Sequence, residues 1–503
     1  FRNQRYVFLR KMEEEYIKLI FGLKLKQIRS KRNLSLFGLS KLTGLSKSYL
    51  NEIEKGKKYP KTDKIALLAD KLNVSYDSMV SLKLDRNLAP VGELLQSKVL
   101  KELPLELFGI KESDLIDIVA NAPTKVNAFI STIIEIAKHY DFGKESFYLA
   151  ALRSYQEANQ NFFPELEKAV LTFAEQYQIN LDSSVSSAEL EEILVEEYGY
   201  TINNEDLVMH SELDNLRSIF VPKTKTLLVA NHVDEAQRTF IYAKEIGYNY
   251  LKIEERLYTF TWIKFENFDQ VFNNFCASYF AGALIIPREM VQNHLETFLA
   301  KSYFDKSFLA KMTKRFNSSP ESLYQRLTNL LPSDYQLENL FFLRFSHKKG
   351  SQRFDITKEL HLTHQHSPHG NETNEKYCRR WASIRVLQEI ETRGEEHHME
   401  VQISHYPNED LSYLIFASAT KDPFRQDLYR SVGIGLLIND TLRKKVNFLN
   451  DSAIPTYQVG VTCERCPQED CKERMAPPTI LQETEKYQKT EAVVANLQEK
   501  FST

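Results

Sequence analysis

Cysteine is scarce, five in 503 residues, which excludes a disulfide scaffold. No run of eighteen apolar residues occurs, so no segment reads as a membrane-spanning helix. The opening Phe-Arg-Asn-Gln-Arg lacks the apolar stretch and small residues of a secretory signal. Cytoplasm is the expected location, with no membrane partner. No Walker loop or Gly-x-Gly-x-x-Gly follows a strand-like run, so no phosphate-cradling loop is visible. Repeats and low-complexity tracts are missing too. What remains is ordinary for a globular chain, 42% hydrophobic and 26% charged, with length for about three domains.

Charge is where the chain departs from the ordinary. The net value is −3, yet residues 21–82 hold 13 Lys/Arg against 5 Asp/Glu. A basic module on an acidic body concentrates phosphate attraction in one place. Within it, Leu39, Leu42, Leu45, Leu50 and Ile53 recur at the steps of two short helices burying one face. Gly44 stands where the chain must turn between them, Ser46 is an N-cap, and Gly56 ends the second helix. Two helices across a glycine turn form a helix-turn-helix, whose second helix enters the DNA major groove with its first turn on the bases. The recognition helix is predicted over 46–55. Ser46, Lys47, Ser48, Tyr49 and Asn51 are the candidates facing DNA, and Lys57, Lys58 and Lys61 the phosphate contacts. With Leu23, Ile28 and Leu34 before it and Pro60 to Met79 after it, the block resembles the Cro/lambda-repressor-type (XRE) five-helix domain. It departs at Leu36, where many relatives carry glutamine.

A connector is expected over 83–114, then a helical region from Leu115 to about Val195 in which Pro164 starts a helix. Strands are expected at 226–229, 341–345, 399–403 and 413–416. Gly433-Ile434-Gly435 sits in an apolar, helix-like run and reads as a close-packing point. Residues 240–248 and 276–287 are similar to the ImmA/IrrE-type metallopeptidases of phage immunity and radiation response. There a helix carries His-Glu-x-x-His and a later helix supplies an acidic ligand. Here the histidine positions hold Lys244 and Tyr248, and the acidic position falls on Cys276 or Asn274. Only Glu245 persists, so the scaffold is expected without catalysis, and Glu245 as a solvated or salt-bridged helix residue.

The other four cysteines have metal-ligand spacing: Cys378, then Cys463, Cys466 and Cys471 in C-x2-C-x4-C. A tight C-x2-C turn points two sulfurs to one side, and four thiolates suit zinc or an iron–sulfur cluster. Cys276, in an apolar helix-like run, is expected to pack as a small hydrophobe. His361, His364, His366 and His369 read as a polar loop, and His397-His398 as strand residues pointing apart.

From about Ser154 to Pro478 the chain resembles the bacterial short-chain fatty-acyl regulators of acetate and propionate metabolism. The shared landmarks are residues 161–166, 279–281 and 326–328, Cys378 with Arg380-Trp381, and the Cys463/Cys466/Cys471 set with Pro477-Pro478. Arg379 departs from it, standing where relatives carry proline. The resemblance implies a multidomain chain: an all-α helix-turn-helix head (21–82), a helical and α+β degenerate peptidase-like middle (115–335), an α+β sensor domain with the cysteine site (336–480), and a helical tail (481–503). It implies a DNA-binding regulator with a short-chain acyl-CoA effector and an iron–sulfur cluster; a homodimer on a double-stranded operator is expected because one such head spans only a half-site. A regulatory metallopeptidase acting on a repressor, or a zinc-stabilised regulator without redox sensing, are the alternatives.

Overall fold

The computed structural model describes residues 17–18, 20–81, 144–210, 213, 216–259, 265–362, 375–422, 425 and 427–501. The chain divides into two compact units, 1–151 and 152–503. The expected connector over 83–114 and the start of the expected helical region lie outside the described residues.

Among the described residues up to 81, the first unit has the helices α1 (20–31), α2 (Leu36–Thr43), α3 (Lys47–Glu54), α4 (Thr62–Lys71) and α5 (Tyr76–Val80). Each apolar stripe turns inward, so Phe21, Leu25, Leu39, Leu50, Ile53, Ile65, Leu68, Leu72 and Met79 form one small core. A Cβ on Gly22 would lie 2.3 Å from the Ile53 carbonyl oxygen, so α1 crosses the end of α3 at backbone contact. Arg29 adds a two-pronged ion pair to Glu54, at 2.6 and 2.9 Å, and donates to the Leu34 carbonyl.

Helix α6 (Lys144–Ala158) spans the boundary at 151/152, and the second unit continues with α7 (Pro164–Gln176) and α8 (Ser187–Glu196). Pro164 occupies the first turn of α7, as expected. Strands β1 (Thr201–Asn203), β2 (Ser218–Val221) and β3 (Thr226–Val229) make a small sheet in the order β1-β3-β2. Then come α9 (Glu235–Tyr250), α10 (Phe268–Ile285), α11 (Arg288–Leu299), α12 (Phe308–Arg315) and α13 (Pro320–Tyr335). The sequence landmarks meet here. Arg326 of α13 is fully buried and grips both oxygens of Glu167 on α7, while its Nε donates to the Ile286 carbonyl. Tyr279 donates to the same carboxylate, Asn161 to Thr328, and Asn329 to the Asn161 carbonyl. Those residues are a clasp joining three helices.

The chain continues through β4 (Leu340–Lys348), β5 (Phe354–His361), α14 (Ala382–Arg393), β6 (His397–Tyr406), β7 (Leu411–Lys421), β8 (Leu428–Leu437), α15 (Asp440–Lys445), β9 (Thr456–Gln458) and α16 (Thr479–Phe501). Six strands form one sheet, β5-β4-β8-β7-β6-β9, antiparallel except for β6 with β9. Residue alternation assigns its faces. Phe342, Leu414, Phe416, Ile434 and Leu436 join the core of the middle helices, whereas Phe341, Phe345, Ile415 and Ala417 pack on Ile384, Leu387 and Ile390 of α14. All four expected strands form. The helix-like reading of Gly433–Gly435 is overturned, because both lie in β8. Covered on both faces, this central strand is apolar at every position from Val432 to Leu437, which removes the two-residue alternation that marks a strand. The close packing itself is there: a Cβ on Gly433 would meet Ser383 Oγ at 2.4 Å, and one on Gly435 the Phe341 ring at 2.3 Å.

Candidate nucleic-acid interface and degenerate metal site

The helix-turn-helix is built by its caps. Ser35 Oγ accepts from the Gly38 amide ahead of α2, and Ser46 Oγ from the Tyr49 amide ahead of α3. Between them Gly44 takes φ 71°, and Ser40 Oγ donates to the Leu45 carbonyl, fixing the turn. Leu50 and Ile53 anchor the inner face of α3. That leaves Ser46, Lys47 and Ser48 exposed, with Tyr49 and Asn51 half-buried beside them. Lys57, Lys58 and Lys61 are exposed beyond the helix end. Lys58 is not idle there: its ammonium lies 3.1 Å from Glu52 and near the Tyr49 ring.

The peptidase-like centre is a closed polar network. On α9, Lys244 and Tyr248 share one face. Gly247 lets α10 approach, since a Cβ there would sit 3.1 Å from the Ala277 carbonyl oxygen. Asn274 of α10 occupies the third position: its Oδ1 accepts from Lys244 Nζ at 2.7 Å and from Tyr248 Oη at 3.2 Å. Cys276 does not fill that role, and burial pushes its thiol up to about 12. Burial lowers Lys244 to about 8. Glu245 is not solvated. Both its oxygens are held by Arg256 Nη2, at 2.6 and 2.5 Å, and Tyr200 donates to it at 3.0 Å. Arg256 is itself stacked on the Tyr248 ring, 3.9 Å from its centre. Where two imidazole lone pairs would hold a metal, this site presents a donor ammonium and a donor hydroxyl converging on one amide oxygen, with a guanidinium behind them. Sequence reasoning missed Arg256 and Tyr200, because nothing in their spacing ties them to Glu245.

The cysteines are partly gathered. Tyr377 and Thr462 form an isolated antiparallel bridge; Cys378 N donates to the Val461 carbonyl, and Cys463 N to that of Lys376. Cys466 packs on Gly460, where a Cβ would lie 3.0 Å from its sulfur, and Trp381 Nε1 holds the Gly460 carbonyl at 2.8 Å. Arg474 fastens the loop through the Cys463, Cys466 and Gln468 carbonyls. Burial raises the Cys378 thiol to about 11, and neighbouring Cys466 and Cys463 add to it, so three thiols share a corner. Cys471 lies half-buried further along the loop. Among the described residues no group of three or more His, Cys, Asp or Glu side chains is placed to hold a metal ion, so the expected four-thiolate geometry is not shown. His361 ends β5, 3.6 Å from Glu359, whereas His364, His366 and His369 lie outside the described residues. His397 and His398 begin β6, as expected.

Residues 25–78 match the helix-turn-helix family, and residues 195–328 match the IrrE N-terminal-like domain. No curated protein matches. Among solved structures, a Mycobacterium tuberculosis transcriptional regulator is 17% identical, over 65% of this chain and 92% of that one, with a TM-score of 0.45. No helix among the described residues is long and apolar enough to cross a membrane. This chain thus joins a helix-turn-helix head to an IrrE-like middle region and a C-terminal mixed sheet.

Proposed function

We propose that the chain is a sequence-specific, DNA-binding transcriptional regulator of the cytoplasm. The observation that carries this is the exposed first turn of α3, Ser46 to Ser48 with Asn51, held on a rigid core beside Lys57 and Lys61. A recognition helix presents its N-terminal turn to base edges while flanking lysines hold phosphates. Selection of binding sites from random DNA with the full chain tests it. Enrichment of one motif, lost on Asn51→Ala, is expected, and no enrichment overturns it.

The reading continues with a homodimer on a two-half-site operator and a small-molecule effector, a short-chain acyl-CoA, acting through the C-terminal domain. It also includes a metal centre on Cys378, Cys463, Cys466 and Cys471, an iron–sulfur cluster with zinc as the alternative. The backbone pairing of the segment carrying Cys378 with the one carrying Cys463 and Cys466 supports the centre. We further propose that the IrrE-like domain does not hydrolyse peptides. Glu245 is neutralised by Arg256, and a divalent cation would meet both Lys244 and Arg256. Cleavage of any protein by the full chain, abolished by a chelator, would overturn this.

A further inference from the structure

We propose that a polar cavity beside the thiol corner binds a small dicarboxylate, with Arg379 holding its inner carboxylate and Lys376 its outer one. The cavity measures about 320 Å³ and is walled by the segments 352–356 and 375–379. That volume lies at the small end of metabolite sites.

The argument rests on charges left over inside it. Arg353 is paired with Asp355, and Glu375 is taken by Arg465 and Thr462. Arg379 has no such partner. It is only 5% exposed, lies 4.3 Å from the Phe354 ring centre, and donates just Nη2, to the Gln352 carbonyl. No carboxylate pairs with it among the described residues. The remaining N–H groups of this otherwise buried side chain are not sealed in protein, and Arg379 lines the cavity, so its planar fork is open to a carboxylate there. Lys376 spends its backbone amide on Glu464, and the residue is exposed and lines the cavity. Two cations without carboxylates, one deep and one outer, fit a ligand with an anionic group at each end. Tyr377 and Arg379, the chain neighbours of Cys378, line the cavity, whereas no cysteine does. The site stands whether or not its occupancy alters DNA binding.

Titration calorimetry on the full chain decides the matter, with succinate as probe. Butyrate is the monoanion of similar length, and succinamide is the neutral isostere. Succinate should bind, butyrate several-fold more weakly, and succinamide not at all. Arg379→Gln should lose at least about tenfold, the scale of one charge-assisted fork. Lys376→Ala should lose less and bring succinate and butyrate level. Absence of succinate binding at millimolar concentrations overturns the proposal, as does equal binding of succinate and succinamide, a comparison that needs no variant. Unchanged affinity in a folded Arg379→Gln also overturns it. So does the rival pattern, in which Arg379→Gln slows iodoacetamide labelling of Cys378 and Cys463 but leaves succinate affinity intact, for then the thiolates are its counter-ions.

Discussion

At the scale of single residues, α3 separates two kinds of contact. Lys47 and Asn51 stand at or next to the first turn, so Lys47→Ala and Asn51→Ala should each cost about 1–3 kcal/mol on the preferred site and little on random DNA. Lys57→Ala and Lys61→Ala should weaken all sequences alike. Lys58→Ala should do less, because Glu52 already holds that ammonium. Anisotropy titrations on both DNAs separate these, and an Asn51→Ala protein with unchanged discrimination would remove the base-reading assignment. These positions were legible because N-caps, a turn glycine and apolar spacing are local signals. The Lys244 centre was only half legible. Missing histidines announced the loss of metal chemistry, but the replacement, Arg256 on Glu245, is a tertiary pairing without a spacing rule. It gives a pH signature. Lys244 falls from 10.5 to about 8 in the folded chain, so between those values the unfolded chain binds more protons and stability rises with pH. Below pH 8 the full penalty of a buried ammonium is present. Lys244→Met should therefore flatten the rise between pH 8 and 10.5 in denaturation curves; an identical rise would place its source elsewhere.

At the scale of elements, helices and strands diverged in how openly they were written. The strands β3, β4, β6 and β7 showed themselves as short β-rich runs, while β8 hid because a strand covered on both sides loses alternation. The most unusual element is α16. It runs 23 residues with none buried, and Tyr487 and Phe501 are 72 and 80% exposed. An isolated helix of that kind is marginal in water. Its apolar residues follow a heptad, Tyr487, Val494 and Phe501 at one core position and Leu497 at the other. In a parallel pair Lys486 of one copy would face Glu491 of the next. Only the Val494–Leu497 heptad has a β-branched residue at the first position and leucine at the second, the combination that favours two strands, and Thr490 occupies the second position of the heptad before it. The proposed homodimer should therefore close through α16. Val494→Asp with Leu497→Asp should shift sedimentation toward monomer while leaving the melting of the folded core unchanged. A dimer that survives both substitutions would require a different contact.

At the scale of the molecule, the two compact units predict how damage spreads. The head owes its tightness to a small core and to the Arg29–Glu54 pair, in which Glu54 is buried. Arg29→Met strands that carboxylate, and breaking one side of a buried pair costs about 3–5 kcal/mol. For so small a core this is most of its stability, so the head should melt many degrees earlier. Arg326→Met does the equivalent to Glu167 in the other unit, where the clasp of α7, α10 and α13 is lost. Because no residue is shared between these two networks, the effects should stay separate and add in the double variant. Calorimetry of the full chain should resolve two transitions, with Arg29→Met moving only the one that DNA raises and Arg326→Met only the other. One merged transition, displaced equally by either substitution, would mean that head and body unfold as a single cooperative block.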